Sequence, residues 1–181
     1  VGEPTCVLTC EPGYFDMNAI PDDGCEFFLD PAAVFVSTTD EHAWDDGGCG
    51  LGPWVSPAEG TWPCRSISHA LNRAVETGRS QIWVAGGSYP EQVTMVKGID
   101  LLGGYNPITW GRSWEENLSL VTGPVDAEHR ITVVAEGIDE DTVLQGFVIY
   151  GASATTSGAN SYGVYVKDST SALQVVDNVV Y

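Results

Sequence analysis

Basic residues are scarce in this sequence: 7 Lys and Arg stand against 25 Asp and Glu, for a formal net charge of -18. A surface of that sign repels phosphate backbones and anionic lipid, so nucleic acid is excluded as an expected partner class. Long apolar runs are missing as well. No segment approaches the roughly 18 to 20 consecutive apolar residues needed to cross a bilayer, and no membrane span is expected. The chain opens at Val1 without the charged and apolar regions of a secretion leader, so the numbering is expected to start after processing. No CxxC pair occurs, and cysteine is absent beyond Cys64.

The five cysteines that are present, Cys6, Cys10, Cys25, Cys49 and Cys64, all fall in the first third of the 181 residues. Clustered cysteines without a CxxC pair or an adjacent histidine favour disulfides over a zinc site, which implies an oxidising compartment and a secreted, extracellular or cell-surface location. The odd count leaves one cysteine free or paired outside this chain. Residues 1–30 read as a cysteine-containing, loop-rich module punctuated by Pro12-Gly13, Pro21 and Asp23-Gly24, too poor in apolar residues to order without Cys6, Cys10 and Cys25. After the alternating strand VFVST (34–38), an insert rich in Gly, Pro, Trp and Asp runs over 40–63 and ends at Cys64, so a Cys49–Cys64 bridge is expected to tie it off at its base.

Within 31–181 the pattern changes twice. Ile67, Ala70, Leu71, Ala74 and Val75 fall on one stripe of a helix expected over about 66–77, with Ser66 as N-cap and Gly78 as its stop. Beyond Gly78 come short β segments in series, and VKGIDLLGGY, AEGIDEDTVLQGFVIYG and KDSTSALQVVDNVVY look like copies of one template. Asn-Gly and Asp-Gly dipeptides are absent between these segments, so immediate antiparallel return is not encoded and parallel stacking is the economical alternative. The expectation is an all-β chain: a right-handed parallel β-helix, or solenoid, capped at its start by the helix. ALQVVDNVVY ends on a bare β pattern, so either the natural chain continues past Tyr181 or a partner covers that edge.

VFVSTTD, PCRSISHALNRA, QIWVAGGSY, EQVTMVKGIDLLGGY and TVLQGFVIYG, in this order, resemble the start of pectin-lyase-like β-helices of a secreted bacterial family of unknown function. The similarity covers roughly 34–181. The leading cysteine segment resembles small modules found ahead of such β-helices in secreted surface proteins. The resemblance implies a fold and a location, and no activity.

Asp16, Asn18, Asp22, Asp23 and Glu26 surround a glycine turn and are the candidate ligands for a Ca²⁺ ion, which takes six to eight oxygens; as turn formers they would instead bond their own backbone. Asp40, Glu41, Asp45 and Asp46 flank His42 and offer a second cation site, an acid/base pair, or a solvated loop. Trp54, Trp62, Trp110 and Trp114 are candidate glycan-stacking residues, with loop packing as the alternative. Asp100, Asp139, Asp141, Asp168 and Asp177 fall mostly in turns and do not repeat the signature blocks of pectate lyases or polygalacturonases, so no catalytic residue is assigned. Asn178 reads as a turn residue. The function expected is a non-catalytic, extracellular β-helix for adhesion, assembly or contact with a polysaccharide or another cell-surface protein. A polysaccharide lyase or hydrolase with part of its active face beyond residue 181 is one alternative, and self-association through the C-terminal edge is another.

Overall fold

The computed structural model describes residues 9–17, 20, 22, 24–54, 60–123, 130–151 and 157–181. Two short strands, β1 (Tyr14–Phe15) and β2 (Phe27–Phe28), pair antiparallel under the Cys10–Cys25 disulfide. The chain then makes successive passes. The first leaves β3 (Ala33–Val36), the disulfide-closed insert and the helix α1 (Ile67–Thr77). A second pass leaves β4 (Gln81–Ala85), β5 (Gly87–Tyr89) and β6 (Val93–Thr94), and a third β7 (Asp100–Tyr105), β8 (Ser119–Thr122) and β9 (Arg130–Glu136). The fourth leaves β10 (Thr142–Gln145), β11 (Phe147–Tyr150) and β12 (Ser161–Lys167), and the last β13 (Leu173–Val176) and β14 (Val179–Val180).

Strands from successive passes pair parallel in three sheets: β3-β4-β7-β10-β13, β5-β8-β11-β14 and β6-β9-β12. The expected all-β, right-handed parallel β-helix is corrected here. The described residues form mostly parallel sheets of short strands with one helix, an α/β-like arrangement, and no closed solenoid is shown among them. The absence of hairpin dipeptides and the repeated template bear on strand direction, whereas closure needs equal passes that each leave a strand in every sheet. The passes differ in length, and β3, whose pass carries the insert and α1, joins only the first sheet.

The repeat itself is read correctly by the register. Leu101 pairs with Leu144, and Leu144 with Val175, which superposes the three template copies. The turn before each carries a left-handed residue, Gly98, Gly137 and then Asp168, at φ of 75°, 69° and 50°. Between the first and second sheets the backbones of successive passes come so close that a Cβ on Gly103 would lie 2.5 Å from the Gly146 carbonyl oxygen. Side chains bond across the stacked turns. Buried Ser119 donates to the Val84 and Ala85 carbonyls, shared through one hydroxyl, and accepts from the Gly104 N–H. Asn178 accepts from the Phe147 N–H and donates to the Leu144 carbonyl, the turn role expected of it.

β3 is buried on both faces, which explains why it reads as the continuous apolar run AVFV. Val34, Val36, Ile82, Val84 and Leu101 point to the main core, which gathers side chains from all three sheets and α1. On the other face Phe35 and Ala85 pack with Phe27, Tyr105 and Trp110, and with the partly buried Phe15, Met17 and Leu29 of the N-terminal segment. Trp83 stacks on Tyr105 there at 4.7 Å, with the Arg112 guanidinium 5.6 Å from the Tyr105 ring centre. Burial pushes the Tyr105 hydroxyl up to about 12 from 10.0, against the opposing pull of Arg112. A pKa raised in the folded state favours folding below the unfolded value and loses that advantage above it. Stability followed by denaturant titration is therefore expected to fall as pH rises from 10.0 toward about 12, and to fall less steeply in Tyr105→Phe.

α1 begins and ends as its sequence predicts: the Ser66 side chain accepts from the His69 N–H, and Gly78 is left-handed at φ 68°. Its buried stripe differs in one place. Val75 is 61% exposed, while Arg73 is buried, donating to the Cys49 carbonyl and to Glu76. The helix turns by about 100° per residue, so Val75, eight positions after Ile67, has rotated toward the rim of the stripe. The remaining N-terminal donors go to Glu91, whose two carboxylate oxygens accept the Ile67 and Ser68 N–H groups at 2.8 Å each, and the Ser68 hydroxyl. Because these are charge-assisted bonds to groups that would otherwise be orphaned, Glu91→Ala is expected to cost about 1.5–3 kcal/mol in chemical denaturation.

Candidate functional site

Three interruptions of the strands converge on one recess of about 480 Å³. The segment after β3 supplies Thr39, Asp40, Glu41 and His42; the disulfide-closed insert supplies Trp54; the excursion after β7 supplies Pro107 and Ile108; and Met17 comes from the N-terminal segment. Local chemistry fixes each contributor. Ser37 is fully buried and its Oγ accepts from the Thr39 and Asp40 N–H groups, which turns the chain out of β3. Asp40 in turn accepts from the His42 N–H at 2.8 Å, and its Oδ1 lies 3.4 Å from His42 Nδ1. The His42 ring stacks on Trp54 at 4.0 Å and 10° between planes. Asn106 Oδ1 accepts from the Ile108 and Thr109 N–H groups, holding a turn that leaves Ile108 67% exposed. That turn is pinned from below by Trp110, which is 3% exposed and meets Phe35 edge-on at 4.8 Å.

The acidic cluster around His42 is divided by the fold. Asp40 and Glu41 line the recess. Asp45 instead accepts from the Arg65 and Ser66 N–H groups ahead of α1, and Asp46 accepts from the Gly48 and Cys49 N–H groups and from Trp62 Nε1. Of the four candidate tryptophans, only Trp54 lines this recess. Trp62 packs against the main core, Trp110 is buried in the outer one, and Trp114 is 43% exposed on a separate, smaller hollow of about 70 Å³ beside Leu118, Phe147 and Val179.

Cys49 and Cys64 form the expected bridge, with Cα atoms 4.9 Å apart, and Cys10 pairs with Cys25. Cys6 lies outside the described residues, as do Asn18 and Asp23 of the candidate calcium ligands. Asp16 accepts from the Ile20 N–H, four residues on, and Glu26 from the Met17 N–H, nine residues back. Among the described residues, the only His, Cys, Asp and Glu atoms grouped closely enough for a metal are those of Cys49, Cys64 and His69, and there the two sulfurs are already joined to each other.

The acids of the parallel passes are engaged in hydrogen bonds and ion pairs, with Asp139 and Glu140 sharing Lys97 and Glu136 and Asp168 sharing Lys167. Asp100 accepts from the Val143 N–H, Asp139 pairs with Lys97, and Asp177 accepts from Gln145. Burial raises Asp100 above the usual carboxylate range, whereas the Lys97 hydrogen bond lowers exposed Asp139. No helix among the described residues is long and apolar enough to cross a membrane.

Comparison with protein families, curated proteins and solved structures finds no match, and nothing in it identifies the pectin-lyase-like family. The recess itself was only half legible in the sequence, which marked Trp54 and His42 separately. Their stack depends on the Cys49–Cys64 closure and on the turn at Ser37, and Pro107 and Ile108 carry no local signal that would place them opposite.

Proposed function

We propose that this is an extracellular, non-catalytic protein that contacts a glycan through the recess of Trp54 and His42. The observation that carries the reading is the Trp54–His42 stack set into a cavity of about 480 Å³. A flat aromatic wall, apolar sides from Met17, Pro107 and Ile108, and a few polar groups from Thr39, Asp40 and Glu41 suit one or two sugar rings, which have apolar faces and hydroxyl edges. Two disulfides agree with an oxidising, extracellular setting.

Titration with neutral, amino and acidic oligosaccharides, followed by tryptophan fluorescence and calorimetry, tests this. Binding is expected to weaken at least about tenfold in Trp54→Ala, about 1.4 kcal/mol, and to be unaffected in Trp114→Ala. Failure of all three classes to bind the folded protein removes the reading.

A second reading, association of two copies through the last pass, is favoured by the exposure of Val175, Val176, Val179 and Val180 on β13 and β14. Among the described residues β13 and β14 are the outermost strands of their sheets. Light scattering that rises with concentration and is suppressed by Val175→Lys and Val179→Lys is the expected result; a constant monomer mass excludes it.

A further inference from the structure

Resting on the proposed glycan contact, we infer that the ligand is a sugar carrying a free, protonated amine, and that acidic polysaccharides are discriminated against. Two carboxylate side chains, Asp40 and Glu41, line the recess, while none of the chain's 7 basic residues is among its described lining. Five of the seven basic side chains are engaged elsewhere. Arg73 bonds the Cys49 carbonyl and Glu76, Arg79 bonds the Ala33 carbonyl, and Arg112 bonds the Gly103 carbonyl. Lys97 pairs with Asp139 and Glu140, and Lys167 with Glu136.

Asp40 is 14% exposed at its side chain and is held in place by the His42 N–H, so its charge is partly desolvated and its position is set before a ligand arrives. Glu41 is exposed beside it. An ammonium group entering the recess beside these carboxylates gains a charge-assisted hydrogen bond, which is stronger where water is displaced. A uronate entering the same space meets the like charges of Asp40 and Glu41, with no Lys or Arg side chain among the described lining. The net charge of -18 extends the same preference outward, drawing cationic chains toward the surface at low ionic strength.

The experiment compares three probes at neutral pH: an oligomer of β-1,4-linked glucosamine, its fully N-acetylated counterpart, and an oligogalacturonate of equal length. The glucosamine oligomer is expected to bind at least about tenfold more tightly than the N-acetylated one, with the gap narrowing at high salt. The oligogalacturonate is expected not to bind. Glu41→Gln and Asp40→Asn, each of which keeps an acceptor oxygen and is checked for folding by thermal melting, are expected to narrow the gap between the first two probes. Equal, Trp54-dependent binding of the first two overturns the amine preference and leaves the glycan contact standing; absence of binding by every probe overturns both. Preferential binding of the oligogalacturonate, or an amine preference unchanged in both variants, overturns the inference.

Discussion

Phe35→Ala is expected to destabilise the protein by about 3–5 kcal/mol, measured as a fall in the denaturation midpoint. Phe35 is fully buried and is the hub of the outer core: Phe27 lies 6.1 Å away, Trp83 5.3 Å and Trp110 4.8 Å, centre to centre, each nearly edge-on. Removal of one ring therefore strips partners from three others, and these come from the N-terminal segment, the second pass and the excursion after β7. The cavity cannot be filled by small shifts, because the opposite side chains of β3, Val34 and Val36, are locked into the main core. A second readout distinguishes this from ordinary core loss. Trp110 anchors the turn that presents Ile108, so Phe35→Ala is also expected to weaken any ligand held in the recess, under conditions where the variant is still folded. Phe35→Leu, which keeps much of the volume, should recover most of both effects.

Replacing Cys49 and Cys64 together by alanine is expected to cost about 3 kcal/mol, the chain-entropy value for a closure of this length, here 15 residues in sequence separation. The loss is not confined to the unfolded chain. Both sulfurs are fully buried, and Gly50 packs so closely that a Cβ there would lie 2.4 Å from Val34 Cγ1 and 3.0 Å from Cys64 Sγ. Arg73 and Arg79 of the helix region donate to the Cys49 and Leu51 carbonyls, so loosening the insert also unseats α1. Trp54 rides on the same insert. The Cys49→Ala/Cys64→Ala variant should therefore lose the recess before the parallel sheets, seen as loss of ligand response while the β-sheet signal in far-ultraviolet circular dichroism is preserved. Simultaneous loss of both signals would show that the insert and sheets unfold as one unit.

Local signals were read well from the sequence where one residue type had one physical use. Ser66 and Gly78 bracket α1, Cys49 meets Cys64, and the template copies superpose in register. Strand direction followed from the missing hairpin dipeptides. The inferred closed β-helix did not follow, because pass length and sheet membership are set by how inserts pack, and period-two patterns carry no such information. For the site, composition singled out Trp54 and the acids near His42 but spread the chemistry over too many residues. Asp45 proves to accept backbone N–H groups ahead of α1, 20 and 21 positions away, Asp46 closes a turn of the insert, and Trp110 is a core residue.

The recess is assembled wholly from segments that interrupt the strands, while the strands contribute the rigid platform beneath. Selection for a new ligand can thus act on Glu41, Trp54 or Ile108 without disturbing the Leu101, Leu144 and Val175 ladder, since those loop side chains make no part of it. A library randomised only at Glu41, Trp54 and Ile108 should therefore retain a high fraction of folded members.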